Sequence, residues 1–243
     1  SPPNYEAPQD DNTDNTYEVT VTASDEQLST SLKIMIVVND VVEGLGGTNM
    51  LLMGNSFFRP YAERLNELAL NANFLEHTET LFFRGGEDGT PIGLWENEDT
   101  SIEIKKILDS GNIEMLGMTA GNQNENNPTE GFSEWINYAL QKNPNIIIFI
   151  SIPPVDFPAS WQQRAEDAGF NDIRELYSEF IKNQVHIELI DQLRGVYPST
   201  NIFSIPTGWA TFSLEGMYQN NTLLDEIQLF GGFNNVYLHT SNL

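Results

Sequence analysis

Residues 48–70 read TNMLLMGNSFFRPYAERLNELAL. The apolar run from Met50 to Met53 stops at Gly54-Asn55-Ser56, and a helical pattern follows from Pro60 to Ala72. A serine at such a junction can serve two ends. It can cap the helix, its oxygen accepting from free N–H groups of the first turn. Or it can be a nucleophile, which needs a nearby base to take its proton and fixed donors to hold the oxyanion. For the second role, Ser56 would offer its own N–H at the positive end of the helix. Gly85 or Gly86 in TLFFRGG would offer a backbone N–H with no side chain in the way, and Asn122 in GMTAGNQ a side-chain N–H.

These residues share a setting. Strands are expected at MLLM, TLFF, IEMLGMT, NIIIFIS and NIFSIP, and helices at 60–72, SIEIKKILDSG, TEGFSEWINYALQKN, ASWQQRAEDAG, DIRELYSEFIKNQVHIELIDQLRGVYP and LLDEIQLFGG. Strands alternating with helices imply a parallel α/β sheet. The apolar run Ile146–Ile150 marks a strand buried on both faces. Ligands of open parallel sheets bind beyond the carboxyl ends of the strands. The residues found there are Ser56, Gly85-Gly86, Gly121-Asn122, Pro153-Pro154-Asp156 and Thr207-Gly208-Trp209.

Composition narrows the chemistry. The 243 residues carry a net charge of −24 with only 11 Lys plus Arg. Nucleic acid and anionic membranes would be repelled. With no cysteine, disulfides, thiolate catalysis and Cys-ligated zinc are excluded. No apolar run approaches the length of a membrane span, and no signal peptide opens the sequence. The opening SPPNYEAPQDD reads as the interior of a longer protein.

The block LLMGNSFFRPYAERL resembles the first block of SGNH (GDSL-type) hydrolases, FFRGG stands where their second-block glycine belongs, and GMTAGNQ near their third-block asparagine. The resemblance runs from residue 48 to about 210. It implies a flavodoxin-like three-layer α/β/α sandwich, Ser56 as nucleophile, and Gly86 and Asn122 as oxyanion donors. The family cleaves esters, often acetyl groups on carbohydrates, and needs no cofactor. Its base is a histidine in a D-x-x-H block before a final helix, and here the sequence departs. His77 and His186 lie too early. His239 has the right order, but Val236 stands three residues before it. Either His239 is a displaced base, or the base lies beyond this sequence.

Residues 1–43 differ. YEVTVTAS and LKIMIVVND alternate as antiparallel strands, each expected to bury one face. With PPNYE before them and VVE after, they resemble the second half of a bacterial cadherin-like repeat, part of a β-sandwich. That resemblance implies structural calcium at repeat junctions, with Glu6, Asp25 and Asp40 as candidate ligands, and neighbouring repeats as partners. The alternative is a solvated acidic turn. Residues 44–49, GLGGTN, read as a glycine-rich linker to an SGNH-like domain over 50–243 lacking its C-terminal end. The expectation is a secreted or cell-surface bacterial serine esterase acting on a small ester or acylated carbohydrate. Its rival is a non-catalytic adhesion or assembly module that keeps the fold.

Overall fold

The computed structural model describes residues 5, 7–10, 12–25, 28–39, 45–120, 126–155 and 158–222. The chain divides into two compact units, residues 1–44 and 45–243.

The first unit is a hairpin. Strand β1 (Thr16–Ser24) pairs antiparallel with β2 (Ser29–Val37), Val19 opposite Ile34 and Val21 opposite Leu32. The alternation does produce two strands. The buried face expected for each is absent, because Val21, Leu32, Met35 and Val37 are all at least half exposed. Two strands have no second layer of their own to bury either face. Before β1, the turn is knotted by carboxylates: Asp14 N–H donates to Asp10 Oδ2 at 2.8 Å, and Thr16 N–H to Asp14 Oδ1 at 2.8 Å. The Thr16 N–H, with the Asn12 amide, holds the Asp14 carboxyl below the usual carboxylate range.

In the second unit, β3 (Leu45–Gly46) leads to β4 (Asn49–Gly54), α1 (Arg59–Asn71), β5 (Phe74–Leu75) and β6 (Thr78–Phe83). Part of the expected linker is therefore structured, since Leu45 and Gly46 pair in parallel with Phe74 and Leu75. A 3₁₀ turn at Gly86–Gly89 precedes α2 (Pro91–Glu96) and α3 (Glu98–Leu108); then come β7 (Met115–Thr119), α4 (Phe132–Lys142) and β8 (Ile147–Ile152). Helices α5 (Trp161–Asp167) and α6 (Ile173–Phe180) follow, a π-helical stretch Ile181–Ile190 joins α7 (Asp191–Val196), and β9 (Ile202–Pro206) passes directly into α8 (Thr207–Gln219). Helix α8 was not expected from the sequence, which shows little amphipathic pattern there. The expected helix at 223–232 lies outside the described residues.

The five-stranded sheet has the order β6-β4-β7-β8-β9 and is parallel throughout. Counted along the chain this is 2-1-3-4-5, the flavodoxin-like order, with its switch point between β4 and β7. Helices lie on both faces, so the architecture is a three-layer α/β/α sandwich. Parallel neighbours put paired residues on one face. Leu51, Leu116 and Ile148 point to one side, where a core also built from Leu94, Trp135, Val185 and Leu193 buries them completely. Leu52, Gly117 and Phe149 point to the other, where a smaller core holds Met50, Leu52, Phe58, Ala62 and Phe149 beneath α1.

Glu79, in β6, lies at the edge of that smaller core. Desolvation raises its carboxyl above the usual carboxylate range, against the opposing pull of His77 and an Asn66 backbone hydrogen bond. A raised folded pKa means the native state binds the proton more tightly than the unfolded state. Stability then falls as pH climbs from the ordinary carboxylate value through the folded one, and the penalty is complete above it. Glu79→Gln should therefore match the parent in Tm near pH 4 and exceed it increasingly towards pH 7. Melting curves across that range check this; a constant offset would contradict it.

Candidate active site

Three strand ends converge at the switch point. Gly54 is the last residue of β4 and pairs with Phe83 of β6; on the other side β7 ends at Thr119. Arg84 N–H donates to the Gly54 carbonyl at 3.1 Å, so the chain leaving β6 is tied to the turn that leaves β4.

Asn55 builds that turn. It is buried, at 5% exposure. Its Oδ1 accepts from Phe57 N–H at 3.1 Å, and its carbonyl accepts from the N–H groups of Phe58 and Arg59, each at 3.2 Å. Helix α1 begins at Arg59 with Phe58 at its cap position and no side-chain cap. Ser56 is thus not the cap, the first of the two roles open to it. It is half-buried, and among the described residues its hydroxyl has no hydrogen-bond partner. Asn55 does the local structural work that was the alternative explanation for the serine. Phe58, two residues on, locks the turn into the smaller core, edge-on to Phe83 at 5.6 Å and to Phe149 at 5.8 Å.

Asn55→Ala should lower stability by about 1–2 kcal/mol, because it leaves the Phe57 N–H without its acceptor. Asn55→Asp should restore most of that loss, since a carboxylate accepts the same bond. Denaturant titrations of both variants give the answer.

Gly85 and Gly86 stand at the start of the 3₁₀ turn, exposed, with open space where a Cβ would project. Gly86 has φ +56°, a conformation in which other residues are strained. Gly89 closes the turn against the serine loop. A Cβ there would lie 2.7 Å from both Asn55 Cα and the Gly54 carbonyl oxygen. The glycine loop and the serine turn are thus in backbone contact through Gly89, a residue the sequence reading did not single out. The signal was present in GGEDGTP, a third glycine before a capped helix start: Thr90 Oγ1 accepts from Gly93 N–H at 3.1 Å.

Asn122, with Gly121, lies outside the described residues, as do His239, Asp156, Glu6 and Asp40. Asp25 is exposed, and its Oδ1 accepts from Leu28 N–H at 2.8 Å, closing the β1–β2 turn. Among the described residues no cluster of three or more His, Cys, Asp or Glu side chains could hold a metal ion. His77 stands just before β6, at the amino edge of the sheet, where its Nδ1 accepts from Thr48 N–H. That is a strand length, roughly 17 Å, from the serine turn. His186 lies in the π-helical stretch.

A cavity of about 590 Å³ opens beside the turn, with Phe57, Pro153, Pro154, Tyr177 and Phe180 among its walls. Tyr177 is its buried anchor. Its hydroxyl donates to the Pro153 carbonyl at 3.2 Å and accepts from Gly208 N–H at 3.1 Å. Burial pushes the phenol up to about 12, the Gly208 N–H pulling the other way. Trp161 Nε1–H donates to the Val155 carbonyl, and Trp95 packs edge-on to Trp135 at 4.8 Å.

No family model matches the chain, and no curated protein matches it. Among solved structures, it is similar to the periplasmic domain of a lipopolysaccharide acetyltransferase from Salmonella ser. Paratyphi A, with 16% identity and a TM-score of 0.38. The likeness covers 60% of this chain and 66% of that one, just under two thirds. At that level it carries no functional argument.

Proposed function

We propose that the second unit is a serine ester hydrolase of the SGNH type, with Ser56 as nucleophile, the Ser56 N–H, Gly86 and Asn122 as oxyanion donors, and His239 or a histidine further on as the base. The observation that carries this reading is the Ser56 hydroxyl, unpartnered among the described residues, on a turn built by its neighbour at the switch point of a parallel sheet, with the glycine loop tied to the same turn through Arg84 and Gly89. Ser56 attacks the ester carbonyl while the base takes its proton. The oxyanion is held by N–H groups. The base returns the proton to the departing alcohol, and water then releases the acid from the serine by the same steps. No cofactor is needed. The substrate class is a small ester or an acylated carbohydrate. A secreted or surface setting is supported by the resemblance of the first unit to an adhesion-type repeat, where calcium, if bound, is structural. Among the described residues no helix is long and apolar enough to cross a membrane.

A non-catalytic adhesion or assembly module is the second reading. It is favoured by the missing aspartate before His239 and by the place of His77 at the wrong edge of the sheet. The test is turnover of 4-nitrophenyl acetate and of an acetylated xylan by the full chain, together with covalent labelling by a fluorophosphonate mapped by mass spectrometry. Turnover with the label on Ser56 supports the hydrolase. A folded chain that neither turns over ester nor takes the label is the binding module.

A further inference from the structure

The cavity of about 590 Å³ beside the serine turn has no part in the chemistry drawn above, yet its walls join the turn to the sheet. Phe57 follows Ser56 directly and forms one wall. Its N–H donates to Asn55 Oδ1 at 3.1 Å, so the carboxamide that builds the turn also fixes the wall. Pro153 and Pro154, which follow the last residue of β8, form a second. The cavity therefore stands at the carboxyl edge of the sheet, the edge that carries Ser56. Leu176, Tyr177 and Phe180 of α6 form a third wall.

These walls have little to offer a sugar. The prolines have no N–H to donate. The Tyr177 hydroxyl is committed twice, donating to the Pro153 carbonyl at 3.2 Å and accepting from Gly208 N–H at 3.1 Å. Tyr177 is left to present its ring, which Trp209 and Phe212 hold edge-on, each at 5.4 Å. Arg164 and Gln184 also line the cavity, but both are exposed and belong to its rim. A pocket of this volume takes a ligand of many heavy atoms, and an acetyl group would leave most of it empty. The flat faces of Phe57, Tyr177, Phe180 and the two pyrrolidines favour another ring, which gains from edge-on and offset contacts beyond the area it buries. We propose that the cavity is the acyl pocket of the Ser56 site and takes an aromatic acyl group of benzoyl size, with Leu176 and Phe180 setting that preference. The assignment rests on the reading of Ser56 as nucleophile: the ester carbonyl lies at the serine, and the ring extends past Phe57 into the cavity.

Vinyl esters isolate the acyl group, because their leaving group departs as acetaldehyde and is too small to fill the cavity. The full 243-residue chain is assayed on vinyl acetate, hexanoate and benzoate, each kcat/KM normalised to the ester's own rate with hydroxide. Benzoate should exceed acetate by about 10-fold or more, since a single methylene in a fitting apolar pocket is worth that much. Hexanoate should fall below benzoate. Leu176→Trp, which fills the cavity, should lower the benzoate-to-acetate ratio by about 5-fold or more. A smaller benzoate preference, or one that Leu176→Trp does not move, overturns the pocket, while acetate turnover with a fluorophosphonate label on Ser56 leaves the hydrolase standing. Preference for hexanoate overturns the aromatic class. A chain that turns over none of the three and takes no label ends the hydrolase reading itself, and the pocket with it. Should Leu176→Trp lose its near-ultraviolet circular dichroism, the parent chain decides. Benzamide, a neutral analogue of the benzoyl half, must slow labelling of Ser56 more than acetamide at equal concentration; equal protection refutes the pocket.

Discussion

Ser56→Ala is expected to lower kcat/KM for an activated acetyl ester by about 10³-fold or more while leaving the fold unchanged. The size follows from the role. Removing a nucleophile abolishes the covalent route, and what survives is catalysis by binding and oxyanion stabilisation alone. The silence in stability follows from the geometry. The turn is held by the Asn55 side chain and carbonyl and by Phe58, while the Ser56 hydroxyl bonds nothing among the described residues. Its loss should move the unfolding free energy by less than about 0.5 kcal/mol, as for substitutions away from structural features. A capping serine would behave in the opposite way, costing about 1 kcal/mol and no turnover. Measuring both quantities on one variant therefore separates the roles. A Ser56→Ala chain that keeps the parent's turnover ends the hydrolase reading.

Trp135→Ala should be the most destabilising single truncation in the α/β unit, at about 4 kcal/mol. The indole is fully buried in the larger core, and large aromatic truncations there cost about 3–5 kcal/mol through lost burial and the cavity left behind. It also packs edge-on to Trp95 at 4.8 Å. Its Nε1–H donates to the Pro91 carbonyl at 2.8 Å, so alanine leaves that buried acceptor unmet. For a unit of this size such a loss corresponds to roughly 10 °C in Tm. Pro91 opens α2, directly after the 3₁₀ turn that carries Gly86 and Gly89. Loosening it should disturb the glycine loop as well, and turnover by the folded fraction should fall. Trp135→Phe keeps most of the burial and loses the hydrogen bond, so it should cost about half as much. Calorimetry on the two variants gives the comparison. A Trp135→Ala chain that melts within about 2 °C of the parent would show that α4 is not anchored as described.

Local pattern carried much of this protein. An apolar run followed at once by Gly-Asn-Ser and a helical period places Ser56 just beyond β4, whatever the rest of the chain does. The alternation of strand and helix implied a parallel α/β sheet, and the three layers were what the resemblance to SGNH hydrolases implied. These are properties of a few neighbouring residues, and their periods survive without knowledge of distant contacts. Other features exist only once strands are in register. That Phe58 pins the turn by meeting Phe83 and Phe149 depends on strands far along the chain. That Gly89 must be glycine depends on its approach to Asn55 across the loop. The first unit shows the reverse: β1 and β2 alternate as though each had a buried face, yet alternation records only a preference for a layer and cannot supply one. Which side chains share a sheet face was likewise invisible, because face assignment comes from pairing Phe149 with Phe203, and pairing is a long-range decision made by the fold as a whole.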